Sequence, residues 1–137
     1  MSSASDIPGD IPGVIQLRSQ HSVSSTIDRL EALLKQRGIL VFARIDFSGD
    51  AERAGLRMPA EQMLIFGNPK AGTPLMLAVP AAGLDLPLKM LAWEAADGQV
   101  WVAYNDPQYI VQRHRLAGNF TANLAAVVPL IQQAAAA

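Results

Sequence analysis

The stretch from which the fold can be worked out is Ile65-Phe66-Gly67-Asn68-Pro69-Lys70-Ala71-Gly72-Thr73-Pro74-Leu75-Met76. An apolar run that begins at Gln62 ends at Gly67, which predicts a short strand. Thr73 followed by Pro74 signals the start of a helix, because the hydroxyl caps the first turn and proline has no N–H to leave unpaired. The stretch therefore predicts a strand, a loop over residues 67–73, and a short helix after the loop.

The loop over residues 67–73 has two interpretations. Backbone N–H groups between a strand and a helix can hold an anion, and Lys70 would add a positive charge. The hypothetical ligand-binding residues are then Gly67, Asn68, Lys70, Gly72 and Thr73. However, the phosphate-binding pattern G-x-x-x-x-G-K-[ST] needs lysine directly after its second glycine, where this chain has Thr73. This disfavours nucleotide hydrolysis and leaves a tight, capped turn as the alternative.

On the N-terminal side, residues 14–20 alternate apolar and polar side chains, which predicts a half-buried strand. Ser22 or Ser25 can cap the helix that follows, and Gly38 can end it. Residues 39–47 are β-branched and aromatic, which predicts a strand buried on much of both faces. A short helix over residues 48–56 follows.

On the C-terminal side, residues 86–94 and 100–104 predict two strands joined by a hairpin, with Trp93 and Trp101 facing each other. Asp106-Pro107 predicts a short helix, and residues 120–131 predict an amphipathic helix that Pro129 bends or breaks. Five strands with hairpin connections predict an α+β fold, in which helices cover one face of a mostly antiparallel sheet.

The chain divides into three segments on composition. With 137 residues, of which 50% are hydrophobic and 17% charged, it is long enough for a single domain and too short for two. Residues 1–13 repeat Asp-Ile-Pro-Gly and predict a flexible N-terminal segment. Residues 14–132 predict the domain, and the alanine-rich residues 133–137 predict a frayed tail.

Composition also excludes several classes of function. A net charge of -1 provides no general attraction for nucleic acid. The absence of cysteine excludes disulfides and thiolate chemistry, and it fits a cytoplasmic protein. The two histidines, His21 and His114, show no metal-ligand spacing, so we expect neither a metal nor a cofactor. The cluster Arg113-His114-Arg115 is interpreted as a solvated face. Neither a signal peptide nor a membrane-spanning run is recognisable.

Candidate catalytic residues are Lys89, Asp46 and Asp85. Asp85 and Lys89 lie four residues apart and would share a face if both stood in one strand. A buried lysine can act as a base or a Schiff-base nucleophile, with Asp46 or Asp85 as its acid-base partner. The alternative is an ordinary lysine on the surface of the sheet.

Three separated motifs carry a resemblance to a known family. They are Leu64-Ile65-Phe66-Gly67-Asn68-Pro69-Lys70 with Gly72-Thr73-Pro74-Leu75-Met76, then Leu84-Asp85-Leu86-Pro87-Leu88-Lys89, then Tyr104-Asn105-Asp106-Pro107. Over about residues 14–130 the chain resembles the domain of unknown function 302 family. The resemblance implies a TATA-box-binding-protein-like topology (β-α-β4-α) and a homodimer. The family pattern often has histidine after Ile45-Asp46, where this chain has Phe47.

Three functional hypotheses follow. The first is a non-enzymatic homodimeric module that binds a small, possibly anionic ligand or a partner protein beside residues 67–73. The second is a small enzyme that uses Lys89 or Lys70 with Asp46 or Asp85 as acid and base. The third is a purely structural dimer. The similarity of fold to a DNA-binding protein transfers no activity.

Overall fold

The computed structural model describes residues 9–137. Five strands form one sheet in the order β1-β5-β4-β3-β2, and every neighbouring pair is antiparallel. The α+β prediction with a five-stranded sheet is confirmed. The strands are β1 (Val14–Ser19), β2 (Leu40–Asp46), β3 (Glu61–Gly67), β4 (Leu88–Glu94) and β5 (Val100–Asn105).

Six α-helices connect and cover these strands. They are α1 (Val23–Gln36), α2 (Phe47–Arg53), α3 (Pro69–Ala78), α4 (Pro107–Arg113), α5 (Thr121–Ala125) and α6 (Val128–Ala135), with 3-10 turns at Pro80–Asp85 and Gly118–Phe120. Within the described part of the chain, none of them has both the length and the apolar character needed to cross a bilayer.

Several predicted helix and strand ends are confirmed. Ser22, rather than Ser25, caps α1, because its hydroxyl accepts a hydrogen bond from the N–H of Ser25 at 3.1 Å. The predicted C-terminal helix is broken between α5 and α6, so Pro129 falls in the first turn of α6, where a missing N–H costs nothing. Trp93 and Trp101 face each other directly across the β4–β5 pair.

The main core lies between one sheet face and the helices α1 and α6. Leu64 and Phe66 of β3 are fully buried on this covered face, together with Ile27, Leu30 and Leu34 of α1. Each large aliphatic side chain buried in this way contributes about 2 kcal/mol to stability. A smaller cluster forms between α3, α4 and α5 from Leu75, Ile110, Val111 and Leu124.

Strand β2 differs from its prediction in burial. It is the edge strand of the sheet, and its residues alternate between exposed and partly buried instead of being buried on both faces. Its pairing with β3 shifts between Val41 and Ala43, which is a β-bulge. Leu40 and Phe42 remain 48% and 54% exposed as a result. Bulges are frequent on edge strands, where they interrupt the ladder and turn a side chain in a new direction.

The helix start predicted at Thr73 is wrong. Helix α3 begins at Pro69, five residues before Pro74, and the side chain of Asn68 caps it by accepting a hydrogen bond from the N–H of Lys70 at 3.0 Å. Asn68-Pro69 obeys the same cap-then-proline rule as Thr73-Pro74, and the earlier pair takes precedence. Pro74 therefore stands inside the helix. Residues 69–73 of the predicted loop over 67–73 belong to α3 and form about its first turn and a half.

The N-terminal segment is described from Gly9 onward, and the prediction for residues 1–8 lies outside the described residues. Residues 9–13 contain no regular strand or helix, yet Gly13 is held in place. It has φ +77°, and a Cβ built on it would lie 2.4 Å from the Tyr109 ring. Its carbonyl also accepts a hydrogen bond from the N–H of Asp106 at 2.8 Å. Glycine is therefore required here by both conformation and space.

The tail predicted to fray over residues 133–137 is helical through Ala135. Ala134 and Ala135 are buried, and the guanidinium of Arg29 on α1 donates hydrogen bonds to the carbonyls of Gln133 and Ala134 at 3.0 and 2.9 Å. The carbonyl of Gln133 also accepts a hydrogen bond from the N–H of Ala136 at 3.3 Å. The arginine adds donors at the end of α6, where the last carbonyls run out of helical N–H groups. A long-range cap of this kind leaves no local signal in the sequence.

Replacing Arg29 with alanine is expected to lower the free energy of unfolding by about 2 kcal/mol, because charged hydrogen bonds to several helix carbonyls are lost together. Urea unfolding monitored by circular dichroism measures this loss. Arg37→Ala, at the exposed end of the same helix, serves as the matched control and is expected to cost less than about 0.5 kcal/mol. Equal losses in the two variants would contradict the cap.

Candidate functional site

A cavity of about 270 Å³ lies where β3 ends and β4 begins, against α3 and the α5–α6 junction. Its size is close to the lower end of the range for small-molecule sites. The predicted residues Gly67, Asn68, Gly72 and Thr73 line one side. The remaining wall is apolar and is formed by Ile39, Phe42, Pro69, Ala71, Met76, Leu86, Pro87, Leu88, Leu124, Ala126 and Val127, with Asn123 beside them.

The two glycines of the site provide space rather than unusual backbone conformation. Neither Gly67 nor Gly72 has a positive φ. A Cβ at Gly67 would lie 3.4 Å from the ring of Phe42 and 3.6 Å from Pro87, and one at Gly72 would lie 3.7 Å from Leu86. All of these neighbours are themselves part of the cavity wall. Side chains at the two glycines would thus occupy the volume of the cavity.

Three polar side chains line the cavity. Asn68 uses its carbonyl oxygen to cap α3, and Asn123 donates its Nδ2 to the carbonyl of Ala71 at 3.1 Å. Thr73 is the third, and it stands on α3 with its residue exposed. Each side-chain amide therefore uses one of its two polar atoms in a hydrogen bond to the protein, and the other atom has no hydrogen bond within residues 9–137.

Lys70 does not line the cavity, unlike the other four residues of the predicted site. It is exposed on the first turn of α3. The described residues that do line the cavity carry no charge, so the site has a different character from the anion cradle that the lysine suggested. The reason is the early helix start, which places Lys70 on a helical turn instead of a closing loop.

Sequence reasoning missed the far wall of the site. Phe42 comes from the bulged edge strand, Asn123 from α5, and Ala126 from the turn between α5 and α6. Asn123 meets Ala71 across 52 positions of sequence. Hydrophobic periodicity and helix-cap patterns describe residues that are close in sequence. They therefore do not show which distant elements pack against each other.

The candidate catalytic residues occupy separate environments. Asp46 ends β2 and caps α2, accepting hydrogen bonds from the Ser48 hydroxyl at 2.7 Å and the Gly49 N–H at 3.0 Å. The Ser48 hydrogen bond, followed by that from Gly49, lowers the pKa of the Asp46 carboxyl below its usual value. An ionised cap is a weak base, so these contacts describe a structural role for Asp46.

Asp85 is held by two residues at the end of α4. His114 places its Nε2 2.6 Å from one carboxylate oxygen of Asp85, and Arg113 donates to both oxygens at 3.0 and 3.1 Å. The side chain of His114 is only 8% exposed. The interpretation of Arg113-His114-Arg115 as a solvated face is therefore wrong at His114. The pairing joins the 3-10 turn at Pro80–Asp85 to α4.

Lys89 stands on the sheet face opposite the core, and no hydrogen bond or ion pair within residues 9–137 joins it to Asp46 or Asp85. We call this surface the open sheet face. It is formed by Met63, Ile65, Lys89, Leu91, Trp93, Trp101 and Ala103, with Glu61 at one end, Gln16 and Arg18 of β1 on one side and Ile45 of β2 on the other. A depression of about 470 Å³ lies over it. Asp85 precedes β4, which is why it does not share a strand face with Lys89.

Metal-ligating side chains do not cluster in the part of the chain that the structure covers, where no three His, Asp or Glu residues are grouped for an ion. His21 instead binds the chain's own C-terminal region, with its Nε2 2.6 Å from the carbonyl of Ala136. His114 is occupied by Asp85. The two histidines thus both have structural partners.

The family model for "Domain of unknown function DUF302" matches residues 15–135, which is almost the whole of the described chain. The chain belongs to the DUF302 family. This confirms the resemblance drawn from the three sequence motifs. A crystal structure of an uncharacterised conserved DUF302 protein from Bacillus stearothermophilus has the same fold, with a TM-score of 0.74 and 18% identity. The match covers 91% of this chain and 97% of that one.

Relatives of this DUF302 chain are found among curated proteins of Brucella. "Fluoride-specific ion channel FluC 1" of Brucella suis is 46% identical over 104 residues, which are 76% of this chain and 41% of the relative. "Fluoride-specific ion channel FluC 2" of Brucella melitensis has the same identity over 38% of its length. The matched segment spans about two fifths of the length of these relatives.

Proposed function

We propose that this DUF302 protein is a small homodimeric binding module, and that its ligand enters the cavity beside α3. The observation that carries the proposal is the cavity itself, about 270 Å³ in size and lined by two glycines whose missing side chains leave it empty. Concave, largely apolar sites with a few convergent polar groups are the usual form of small-molecule sites.

The enzyme alternative has less support than the binding module. It requires a lysine and a carboxylate close together, whereas Lys89, Asp46 and Asp85 each lie in a separate region. We do not propose fluoride conduction for this chain. It matches only about two fifths of the length of the Brucella relatives, and the activity of those proteins belongs to their whole length. A cytoplasmic location remains an expectation from composition.

The open sheet face supports the homodimer part of the proposal. Its centre is apolar, and Met63, Ile65, Leu91 and Trp93 are each only partly buried in the single chain. Three charged residues stand on this face: Arg18 on the edge strand β1, in register with Trp101, and the oppositely charged Lys89 and Glu61 towards the two ends of the central strands. Lys89 is paired in register with Ile65, and Glu61 with Trp93, four residues further along β4. Their separation along the strands is about 13 Å.

A two-fold axis suits this arrangement. The axis would lie between two facing sheets, perpendicular to the strands, at the level of the register pair Met63–Leu91. It reverses the strand direction of the second copy and so brings the Lys89 end of one copy over the Glu61 end of the other. The apolar centres then face each other at the normal spacing of about 10 Å between stacked sheets. Each lysine gains a carboxylate partner, which it does not have among residues 9–137 of its own chain.

Filling the cavity tests the ligand-binding part of the proposal. In a thermal-shift screen of small metabolites, a compound at ten times its Kd is expected to raise Tm by about 3 °C. Ala126→Trp places a large ring in the wall at an exposed position in the turn between α5 and α6, and it is expected to weaken binding of any such compound at least tenfold.

Ala122→Trp is the matched control, because Ala122 is equally exposed on α5 but does not line the cavity. It is expected to bind the same compounds as the unaltered protein. The proposal is contradicted if no compound stabilises the protein, or if both tryptophan variants behave alike.

A further inference from the structure

The polar groups of the cavity are neutral and include both donors and acceptors. Asn123 spends its Nδ2 on the carbonyl of Ala71, so its Oδ1 remains as an acceptor. Asn68 spends its Oδ1 on the N–H of Lys70, so its Nδ2 remains as a donor. The Thr73 hydroxyl can serve in either sense. A ligand group that complements the three must itself both donate and accept.

A charged ligand group is expected to bind weakly in this cavity. The described wall supplies no basic or acidic side chain, so a carboxylate or phosphate would lose hydration without gaining a counter-charge. A carboxylate carries only acceptors, and the free Oδ1 of Asn123 would repel it. Lys70, the nearest lysine in sequence, is exposed outside the lining.

The rest of the wall favours an apolar body on the ligand. Aliphatic side chains and prolines dominate it, and two of its members leave apolar surface uncovered at the opening, with Phe42 54% and Met76 38% exposed. A ligand would cover that surface together with its own apolar part, which is the main source of affinity in such sites.

We propose that the cavity selects a neutral amphiphile, a short apolar chain or ring that ends in an uncharged head group able to donate and accept hydrogen bonds, of which a primary amide is the simplest example. The inference rests on the proposed ligand-binding function and narrows its chemistry. It also replaces the anionic ligand that the sequence suggested, since the cavity does not include Lys70.

Octanamide and octanoate form a matched pair of probes, because they share one chain and differ in the head group. With the full chain at neutral pH, octanamide is expected to raise Tm by about 3 °C at ten times its Kd, while octanoate and inorganic phosphate raise it by less than about 1 °C at equal concentration. Calorimetric titration of the same probes gives the affinities directly.

Two substitutions locate the effect. Thr73→Val keeps the side-chain volume and removes the hydroxyl, so octanamide is expected to bind about fivefold more weakly. Lys70→Ala is expected to change the octanamide affinity by less than about twofold. Binding that persists in Ala126→Trp would mean that octanamide occupies another surface, and this would overturn the assignment.

The outcomes separate the ligand class from the function. If octanoate or phosphate stabilises the protein as well as octanamide does, and the effect disappears in Lys70→Ala, the neutral class is wrong while the cavity remains a binding site. If octanamide and other neutral amphiphiles fail but charged metabolites bind in a manner sensitive to Ala126→Trp, the class alone is again overturned. If no compound binds, both inferences fail.

Discussion

Replacing Leu64 with alanine is expected to lower the free energy of unfolding by about 3 kcal/mol. Leu64 is fully buried on the covered face of β3, in the cluster that joins the sheet to α1 and α6. Truncation removes the transfer free energy of the lost atoms and leaves a void that the neighbouring strands and helices cannot close. Urea unfolding at several protein concentrations measures the loss.

Met63 provides the control, since it is the preceding residue on the same strand but lies on the open sheet face and is only partly buried. Measured at concentrations low enough to keep the chain monomeric, Met63→Ala is expected to cost less than about 1 kcal/mol. Equal costs at the two positions would show that the helices do not cover the face assigned to Leu64.

The alternation of buried and partly buried side chains along β3 shows why much of the fold can be predicted from the sequence. Strand and helix periods report which side of an element meets apolar neighbours, and this was sufficient for α1, β3, β4 and β5. The same signal misplaced β2, because an apolar run of strand length looks alike in the middle of a sheet and at its edge. Only the bulge between Val41 and Ala43 and the strand order distinguish the two.

Local rules failed where two of them competed. Asn68-Pro69 and Thr73-Pro74 both fit the pattern of a helix start, and nothing in the sequence shows which of the two pairs the chain uses. The structure uses the earlier pair, because β3 ends at Gly67 and the chain turns directly into α3. That difference of five residues, about one and a half helical turns, moves Lys70 out of the site and changes the expected ligand from charged to neutral.

The candidate site was predictable only on one side. Gly67, Asn68, Gly72 and Thr73 are close in sequence and lie together, whereas Asn123 and Ala126 reach them only through the tertiary fold. The pairing of Asp85 with His114 is a similar case, since it spans 29 positions. Contacts of this range depend on how helices pack, which no periodicity in a single sequence records.

Replacing Leu91 with arginine is expected to convert the proposed homodimer into a monomer. Leu91 lies at the centre of the open sheet face, directly paired with Met63, so the proposed axis places an arginine of each copy in the middle of the interface. Two buried cations without partners would cost several kcal/mol, which raises the dissociation constant of a micromolar dimer at least a hundredfold. Light scattering on the unaltered protein is expected to show a dimer at micromolar concentration.

Leu77→Arg is the matched control, because Leu77 on α3 is 79% exposed and is not part of the open sheet face. It is expected to remain dimeric. If Leu77→Arg instead dissociates the dimer and Leu91→Arg does not, the interface lies on the helical side of the molecule. A monomeric unaltered protein would remove the dimer altogether.

A charge exchange tests the orientation of the dimer as well as its existence. Lys89→Glu and Glu61→Lys each place like charges opposite one another and are expected to weaken association about tenfold or more. Combined in one chain, the two substitutions restore opposite signs across the interface, and association is expected to recover. Recovery requires that Lys89 of one copy faces Glu61 of the other, since two independent surface effects would add rather than cancel. It would therefore establish the antiparallel stacking of the two sheets without a structure of the dimer.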